Sequence, residues 1–421
     1  MLPALLSLAA LLIAIALSVF SQLNVGLLGL GLAYLLGALL LGVPPREISA
    51  SFPNGLLLTL LGLTFLFGHA RVNGTLDRLA GWAVQLTGGR IGLMPVSFFG
   101  LAVLLGTLGA GNIGSVALLA PIAMEVAAEL GIPPFLMALM VACGGNATAF
   151  SPVAPTGVIA ASFMARIGLS GYAWHAYFQC LLAHVIVGFS GYLLFGGLRL
   201  LRDPPTPAQQ ERLQTLLVRR KRPLEYRHVA TLVVLCSMLL LIARFRLEVG
   251  PVALGAALLL SLFRLGDERQ ALATIPWETM LVVCGMTVLM GILERTGGID
   301  LCTRLLGRLS TPRTAPGVMG LLTGALSAYS SSSGVVLPAF LPTIPGLIQK
   351  IGGGNALALA DSVNIGAHLV DVSPLSTLGS LCVAACVSGE RDRLYRQLLA
   401  WGMAMILVAG VYCFVLFSLL R

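Results

Sequence analysis

The chain has 421 residues, of which 57% are hydrophobic and only 10% charged, and its formal net charge is +9. Soluble globular chains carry about 25% charged residues, so this composition excludes that class of protein. Apolar runs of about 20 residues recur from end to end, and each can cross about 30 Å of hydrocarbon as a helix. Segments of alternating polarity, which are typical of a membrane β-barrel, do not occur in the sequence. The sequence therefore predicts an all-α, polytopic membrane protein.

The predicted first unit, residues 1–198, begins with three scaffold spans within 3–70. Its segments, in chain order, are the spans 3–20, 24–43 and 53–70, an interfacial helix 72–88, a helical hairpin 91–131, a broken span 134–165 and a span 172–198. The interfacial helix is predicted from its charged, amphipathic pattern. A basic linker, 199–227, follows this unit.

The predicted second unit, residues 228–421, repeats the same order of elements, beginning with scaffold spans within 228–294. Its segments are the spans 228–246, 249–264 and 277–294, an interfacial helix 298–310, a helical hairpin 314–350, a broken span 355–388 and a span 395–420.

Matching residues at a fixed offset support this duplication. The motif "SPVAPTG" (151–157) returns as "SPLSTLG" (373–379), 222 residues later. Six scattered residues also return 223 residues later: Pro53, Gly62, Thr64, Gly68, Gly74 and Asp77 as Pro276, Gly285, Thr287, Gly291, Gly297 and Asp300. Five crossings per unit, plus a re-entrant hairpin that adds an even number, place the second unit upside down relative to the first. Inverted-topology repeats of this kind are typical of secondary transporters.

The basic linker sets the predicted orientation. Residues 199–227 carry eight Lys and Arg, and loops rich in these residues stay in the cytoplasm. The sequence therefore predicts a multi-pass protein of the cell (inner) membrane with a cytoplasmic linker and both termini outside.

The tips of the two hairpins are candidate binding sites. They read "GAGNIGS" (109–115, the first tip) and "SAYSSSSG" (327–334, the second tip). A re-entrant tip presents backbone N–H groups at a helix N-terminus together with hydroxyls, an arrangement suited to a carboxylate. The alternative explanation is that Gly and Ser merely allow close helix packing, as small residues do in membranes.

The broken spans carry "GGNATAFSPVAPTG" (144–157) and "NIGAHLVDVSPLSTLG" (364–379). Pro152 and Pro374 each remove a backbone N–H and clash with the preceding turn, which leaves carbonyl oxygens free. Carbonyl, amide and hydroxyl oxygens are hard ligands of the kind that Na⁺ prefers, although a simple proline kink would need none of them. The polar side chains around the first proline are Asn146, Thr148, Ser151 and Thr156.

Ionisable residues within spans are candidates for function. Asp371, beside the second broken motif, would bind a cation, carry a coupling proton, or pair with His368 one turn earlier, and Asp361 lies further back. The sequence leaves these three roles of Asp371 open.

The remaining ionisable residues have structural explanations. His69 and Arg71 lie at the end of a span, where long side chains reach towards the interface. His175 and His184 have no evident partner and are interpreted as structural. Neither tip nor broken motif contains Lys or Arg, so an anion there would be held by dipoles, hydroxyls and co-bound cations.

These motifs resemble those of the ion transporter superfamily, which includes the divalent anion/sodium symporters. "GNIGSVALLAP" is similar to that group's first tip, and "GGNATAFSPVAPTGVIAASFMARIGLSG" and "DVSPLSTLGSLCVAA" resemble the malonate/dicarboxylate carrier (MatC-like) branch. The family's Ser-Asn-Thr signature is intact in neither tip. The resemblance implies a scaffold that often dimerises, an elevator-type transport domain made of hairpins and broken spans, and Na⁺-coupled transport of di- or tricarboxylates.

Motifs and resemblance together predict two sets of site residues, with His368 as a proton or charge partner. The predicted substrate residues are Asn112, Ser115, Thr156, Ser331, Ser332, Ser333, Ser376 and Thr377. The predicted cation residues are Gly111, Asn112, Gly145, Asn146, Ser151, Ser332, Asp371 and Ser373.

The predicted function is cation-coupled uptake of a small dicarboxylate such as malonate or a C4-dicarboxylate, with a monocarboxylate also open. Na⁺ is the expected coupling ion, with H⁺ as the alternative; no cofactor, no metal beyond Na⁺ and no nucleic acid is expected. The partners would be the lipid bilayer and a second copy of the chain through the scaffold spans. A Na⁺/H⁺ or other ion antiporter of the same superfamily, titrating at Asp371, is the nearest alternative. An intramembrane enzyme is a remote one, because the sequence has no HExxH, paired-aspartate or nucleophile-elbow motif.

Overall fold

The computed structural model describes residues 2–20, 23–87, 89–220, 223–245, 247–387 and 389–419. Every regular element in these ranges is a helix. Several predicted segments include positions outside the described residues, namely 88, 221, 222, 246, 388 and 420, as do the predicted termini at 1 and 421.

The helices that precede the end of the linker are α1 (Leu2–Phe20), α2 (Val25–Tyr34), α3 (Pro45–Ala50), α4 (Asn54–Val72), α5 (Thr75–Leu86), α6 (Met94–Leu105), α7 (Gly111–Leu130), α8 (Pro134–Asn146), α9 (Pro155–Arg166), α10 (Ala173–Leu194), α11 (Gly197–Arg202) and α12 (Pro207–Arg220). Those that follow are α13 (Tyr226–Phe245), α14 (Val249–Leu262), α15 (Glu268–Ala273), α16 (Trp277–Thr296), α17 (Gly298–Leu309), α18 (Ala315–Ser327), α19 (Leu337–Phe340), α20 (Ile344–Ile351), α21 (Ala356–Leu369), α22 (Thr377–Ala384) and α23 (Arg391–Phe414).

Within the described ranges, seven helical stretches are long and apolar enough to cross a membrane. They are Asn54–Val72, Ile91–Leu130, Ala173–Leu194, Trp277–Thr296, Ser332–Ile351, Ala356–Ala384 and Arg391–Leu419. Six further apolar helices, of 10–17 residues, are shorter than these.

Two helix crossings join the N-terminal part of the chain to the C-terminal part. At the crossing of α2 and α16, a Cβ atom added to Gly285 would lie 1.9 Å from the carbonyl oxygen of Gly26. At the crossing of α4 and α14, a Cβ added to Gly62 would lie 2.7 Å from the carbonyl oxygen of Gly250. Only glycine allows backbones to approach this closely, as small residues do between membrane helices.

A second group of helices packs around the hairpins and broken spans. α8 lies against α6, α7 and α10, and α21 lies against α10, α18 and α23. α22 crosses between the two parts of the chain, because it packs against α7 and α8. Most of the buried apolar side chains of α6–α10 belong to the same cluster as those of α21 and α22. The tips and broken spans of both predicted units therefore lie in one helical bundle.

The linker contains an amphipathic helix, α12, which rests on the end of α7. The Nε2 atom of Gln209 donates to the carbonyl oxygen of Leu130 at 2.9 Å. Leu213 and Leu216 are buried, while the opposite face of α12 is exposed. The linker is thus fastened to the C-terminal end of the first hairpin.

Candidate functional site

The first tip is a turn that depends on glycine. Gly109 has a φ of 118° and Gly111 a φ of 71°, values that other L-residues rarely adopt. A Cβ on Gly109 would lie 2.6 Å from the ring of Phe67 in α4 and 2.8 Å from the carbonyl oxygen of Val153. α7 begins directly after this turn, so its N-terminus is held between α4 and the first broken span.

The second tip packs in an equivalent way on a helix of its own half of the chain. The hydroxyl of Ser331 accepts a hydrogen bond of 3.1 Å from the backbone N–H of Gly334 and so caps the following turn. A Cβ on Gly334 would lie 2.2 Å from Cγ1 of Val282 in α16. The first tip therefore rests on α4 and the second on α16.

Both broken spans are interrupted at corresponding places. The first break comprises residues 147–154, between α8 and α9, and the second comprises 370–376, between α21 and α22. In the first break, a Cβ on Gly157 would lie 1.9 Å from the carbonyl oxygen of Ser151; in the second, a Cβ on Gly379 would lie 2.1 Å from that of Ser373. The two breaks thus share the same close approach of backbone to backbone.

A chain of amide hydrogen bonds links the first tip to both breaks. The Nδ2 atom of Asn112 donates to Oδ1 of Asn146 at 3.0 Å. Asn146, which is fully buried, donates through its own Nδ2 to the carbonyl oxygen of His368 at 2.6 Å. Thr156 joins this network at the first tip, because its hydroxyl lies 3.5 Å from Oδ1 of Asn112.

In the second half, the carboxylate of Asp371 is bound by the second tip. The hydroxyl of Ser332 lies 2.8 and 2.7 Å from its two oxygens. Ser327, 2.7 Å from the Ser332 hydroxyl, completes this network. The Ser376 hydroxyl donates to the backbone carbonyl of Asp371. In both halves, therefore, a polar side chain of the tip binds a polar side chain of the broken span.

The sequence left open a pairing of His368 with Asp371, whereas in the structure His368 contacts Asn364 and Phe150. Its Nδ1 atom lies 3.0 Å from the carbonyl oxygen of Asn364, one turn earlier in α21, and its ring packs on Phe150. Asp371 lies in the single turn of 3₁₀-helix, Val370–Val372, that follows α21, and its carboxylate is bound by Ser332.

A cavity of about 260 Å³ separates the two tips and the two breaks. No Lys or Arg is among the described residues of its wall. The wall is formed by Asn112, Ile113, Thr156, Tyr329, Ser330, Ser331, Ser332, Ser333, His368, Asp371, Leu375, Ser376, Thr377 and Leu378. Seven of the eight predicted substrate residues lie on this wall.

The exception is Ser115, whose hydroxyl donates back to the carbonyl oxygen of Gly111 at 2.7 Å. Tyr329 and Ser330, which belong to the predicted second tip but not to the predicted substrate residues, also lie on the wall. The hydroxyl of Ser330 is buried and, among the described residues, forms no hydrogen bond. It therefore offers a free donor and acceptor beside the cavity.

Of the predicted cation residues, Asn112, Ser332 and Asp371 lie on the wall of the cavity, and the other five do not. Gly145 lies against the first tip helix, where a Cβ would come within 2.4 Å of Val116. Ser151 donates instead to the carbonyl oxygen of Thr107 at 2.8 Å, and Ser373 accepts from the N–H of Leu375 at 3.3 Å.

The atoms of these residues that could coordinate an ion are oxygen atoms, which suit an alkali-metal ion. In the part of the chain that the structure describes, no group of three or more His, Cys, Asp or Glu residues is placed to hold a metal ion.

A second cavity, of about 160 Å³, adjoins the first tip. Asn112, Thr156 and Ser333 lie on the walls of both cavities. Arg71, at the end of α4, and Thr279 of α16 both line the second cavity. From the sequence, Arg71 was explained by its position at the end of a span, but the packing of the first tip on α4 places it beside the candidate site.

One known family model matches the first part of the chain. Residues 1–149 match the family model described as dicarboxylate carrier protein MatC N-terminus. The family resemblance predicted from the sequence is confirmed. The matched segment contains the first tip and Asn146, and it ends within the first break.

Relatives in mycobacteria extend the similarity beyond that segment. "Uncharacterized transporter Rv2685" and "Uncharacterized transporter Rv2684" of Mycobacterium tuberculosis (strain ATCC 25618 / H37Rv) are 27% and 25% identical to this chain. Each alignment covers 77% of this chain and 77% of the relative. The "46 kDa membrane protein" of Mycobacterium leprae is 28% identical over 58% of this chain and 57% of its own length.

The fold is similar to that of a solved transporter. The crystal structure of the YdaH transporter of Alcanivorax borkumensis superimposes with a TM-score of 0.52 over 92% of this chain and 96% of that one, at 15% identity. At this identity the similarity concerns the fold alone. The seven apolar helices and the relatives named as transporters identify the chain as a multi-pass membrane protein.

Proposed function

We propose that this protein is a secondary active transporter that couples the movement of a cation to the uptake of a small dicarboxylate. The observation that carries the proposal is the cavity between the tips, whose walls are hydroxyl and amide side chains from both halves of the chain. Sites for drug-sized ligands measure about 300–1,000 Å³. A cavity of about 260 Å³ suits a smaller molecule, such as malonate or a C4-dicarboxylate.

The two tips offer one site for each carboxylate of such a substrate. The N-terminus of α7 and the side chain of Asn112 supply N–H donors on one side. Ser331 and Ser333 supply hydroxyls on the other. A substrate with a carboxylate at each end would span the cavity between them.

The charge of the cavity gives a physical reason for cation coupling. The only carboxylate on the described wall is that of Asp371, and no Lys or Arg offsets it. A dianion bound there would be repelled by Asp371, strongly so in a site of low dielectric constant. A co-bound cation at Asp371 and Ser332, or at Asn112 and Asn146, removes this repulsion and makes substrate binding depend on the ion. Na⁺ is the ion that we propose, because the donors are oxygen atoms.

Matched contacts in the two halves support an inverted repeat as the basis of transport. Gly26 and Gly62 in the first half correspond to Gly250 and Gly285 in the second, and each packs on the other's equivalent helix. In the proposed cycle, the bundle of hairpins and broken spans moves as an elevator against a scaffold of the first three spans of each half. Dimerisation through this scaffold, location in the inner membrane and a cytoplasmic linker belong to the same proposal. No cofactor other than the coupling ion, and no catalysis, is proposed.

A cation antiporter is the second candidate, and the burial of Asp371 favours it. Only 7% of this residue is exposed, and its carboxylate is bound by neutral hydroxyls rather than by a basic side chain. A carboxylate in this position would take up and release H⁺ or Na⁺ during exchange.

Uptake of radiolabelled malonate and succinate into proteoliposomes, with and without a Na⁺ gradient, tests the proposal. We expect gradient-dependent uptake, and Ser332→Ala should reduce it. Ser380→Ala, which removes an exposed hydroxyl of α22, is the matched control and should leave uptake unchanged. The proposal fails if no carboxylate accumulates under any cation gradient.

A further inference from the structure

A third cavity, of about 570 Å³, lies at one end of the helical bundle that carries the tips and is larger than both cavities at the candidate site. Its wall combines the end of α7, the beginning of α8, the residue that follows α10 and the beginning of α23. Among the described residues, it shares no wall residue with either of the other cavities. It is therefore a separate site in the same bundle.

Three membrane-crossing stretches begin or end at this cavity. They are Ile91–Leu130, Ala173–Leu194 and Arg391–Leu419. Gly131 and Phe195, which directly follow the first two stretches, lie on the cavity wall. The ends of membrane spans lie at the level of the lipid head groups. The cavity is therefore at head-group level, on the side of the membrane where α12 rests on the end of α7.

Most of the cavity wall is apolar, and part of it is at the surface of the bundle. Ile132, Phe135 and Leu136 are buried there. Phe195 and Val387, by contrast, expose 43% and 56% of their surface. Exposed apolar residues beside a recess mark a site of contact with a membrane or an apolar ligand. At this level of the membrane, such a wall offers an acyl chain an apolar surface continuous with the hydrocarbon of the bilayer.

The polar part of the wall is a row of three side chains on one face of α23. Glu390, Arg393 and Gln397 are spaced by three and four residues, so they lie one above the other. Within the described ranges, neither Glu390 nor Arg393 forms an ion pair with the other or with a further side chain. Arg391, in contrast, donates to two backbone carbonyl oxygens that precede α23. The fold thus uses Arg391 and leaves the charges of Glu390 and Arg393 available to a ligand.

A negative and a positive side chain one turn apart match a head group that carries both charges. A guanidinium binds a phosphate through several N–H groups, and a carboxylate accepts hydrogen bonds from a primary ammonium. A choline head group has a quaternary ammonium without N–H groups, and a glycerol head group has no positive charge. Of these three head groups, phosphoethanolamine is therefore the one that satisfies both Arg393 and Glu390.

We propose that this cavity is a binding site for a phospholipid with an ethanolamine head group. The phosphate lies at Arg393, the ammonium at Glu390, and an acyl chain lies along Phe195 and the buried apolar wall. A lipid bound in this way is attached to the bundle that carries the tips. The inference goes beyond the proposed transport function and does not depend on it.

Native mass spectrometry of the purified protein tests the proposal, with phosphatidylethanolamine, phosphatidylcholine or phosphatidylglycerol of identical acyl chains added at equal concentrations. We expect the ethanolamine lipid to bind about tenfold more tightly than the other two, because each of these loses the charge-assisted hydrogen bonds at Glu390. Glycerophosphoethanolamine, which has the same head group without acyl chains, should not displace the bound lipid. Displacement by this soluble compound would overturn the assignment of a lipid to the site.

Two variants separate the roles of the charged side chains. Arg393→Gln should weaken the binding of all three lipids, because the phosphate contact is common to them. Glu390→Gln should bind the ethanolamine and choline lipids equally, because it loses only the contact with the ammonium. Arg396→Gln, at an exposed position of α23 that is not on the cavity wall, is the control and should behave as wild type.

Equal binding of the three lipids by the wild type would overturn this inference. An undiminished preference for the ethanolamine lipid in Glu390→Gln would overturn it as well. Both substituted positions are exposed, and the unfolding temperature of each variant checks that its fold is intact. None of these measurements involves uptake, so failure of the lipid site and failure of the proposed transport function are distinguished.

Discussion

The side-chain amide of Asn146 donates a hydrogen bond of 2.6 Å to the carbonyl oxygen of His368, which lies 222 residues later in the chain. The same offset relates Ser151 to Ser373. Asn146 ends α8 and His368 lies in the last turn of α21, so the contact joins the two broken spans at equivalent points. A local change at one break is therefore transmitted directly to the other.

Replacement of Asn146 by Ala should weaken both the fold and substrate binding. The variant removes the buried partner of the Asn112 amide and the nearer of the two partners of the His368 carbonyl, which costs about 1–3 kcal/mol. Thermal unfolding of the purified protein and uptake measurements check this. Asn364→Ala is the matched control, because Asn364 is equally buried but its side chain donates only to the sulfur of Met164, at 3.7 Å. Equal effects of the two substitutions would contradict the role given to Asn146.

Replacement of Asp371 by Asn distinguishes symport from antiport. In a symporter the change removes a ligand charge, so uptake should require a higher Na⁺ concentration and recover when Na⁺ is raised. In an antiporter it removes the titrating group, and exchange should stop at every concentration. The Na⁺ dependence of uptake, measured with Ser332→Ala alongside, decides between them, because Ser332 binds the same carboxylate without carrying charge.

Arg71 should attract the substrate towards the first tip. It lines the cavity that adjoins the candidate site, and a unit charge there acts on a carboxylate with about 1 kcal/mol at 4 Å in water. Arg71→Gln should therefore raise the substrate concentration for half-maximal uptake several-fold, with little change in the maximal rate. The effect should diminish at high ionic strength. Arg313→Gln, an exposed position remote from both cavities, is the control. A lower maximal rate with unchanged half-saturation would argue against this role.

Glycine at the crossing of α2 and α16 should be required for stability. A Cβ on Gly26 would lie 2.1 Å from the carbonyl oxygen of Leu281, so Gly26→Ala must push the helices apart. Overpacking of this kind costs about 1–3 kcal/mol. Gly31→Ala, in the same helix, meets no atom within 4 Å and should be neutral. The unfolding temperatures of the two variants in detergent test the prediction, which would be wrong if they were the same.

The sequence indicated the position of the tips and breaks because interruptions of a helix require particular residues, namely glycine and proline. Gly109 and Gly111 are needed for positive φ angles, and Pro155 begins α9, where its missing N–H is not required. Contacts between residues that are distant in the sequence have no comparable sequence pattern. The spacing of Asp371 and His368 left a pairing open, whereas in the structure Ser332 binds the Asp371 carboxylate and Nδ1 of His368 lies 3.0 Å from the carbonyl oxygen of Asn364.

Two other residues show the same limit of sequence reasoning. Ser115 was expected to face the substrate, yet in a helix its hydroxyl reaches the carbonyl four residues earlier, that of Gly111. Arg71 was explained by its place at the end of a span, because the hairpin that packs beside it comes from elsewhere in the chain. Local geometry could be predicted from the sequence, whereas the choice of tertiary neighbours required the assembled bundle.

The glycine-mediated crossings of α2 with α16 and of α4 with α14 also determine when these contacts can form during synthesis of the chain. Gly26 packs on Gly285, so α2 is translated about 260 residues before the surface that it needs. At a synthesis rate of about 5–20 residues per second, this interval lasts roughly 13–52 s. During that time the glycine faces of the early helices lack the partner helices that cover them in the folded protein. The crossings between the N-terminal and C-terminal helices therefore form only after most of the chain has been made.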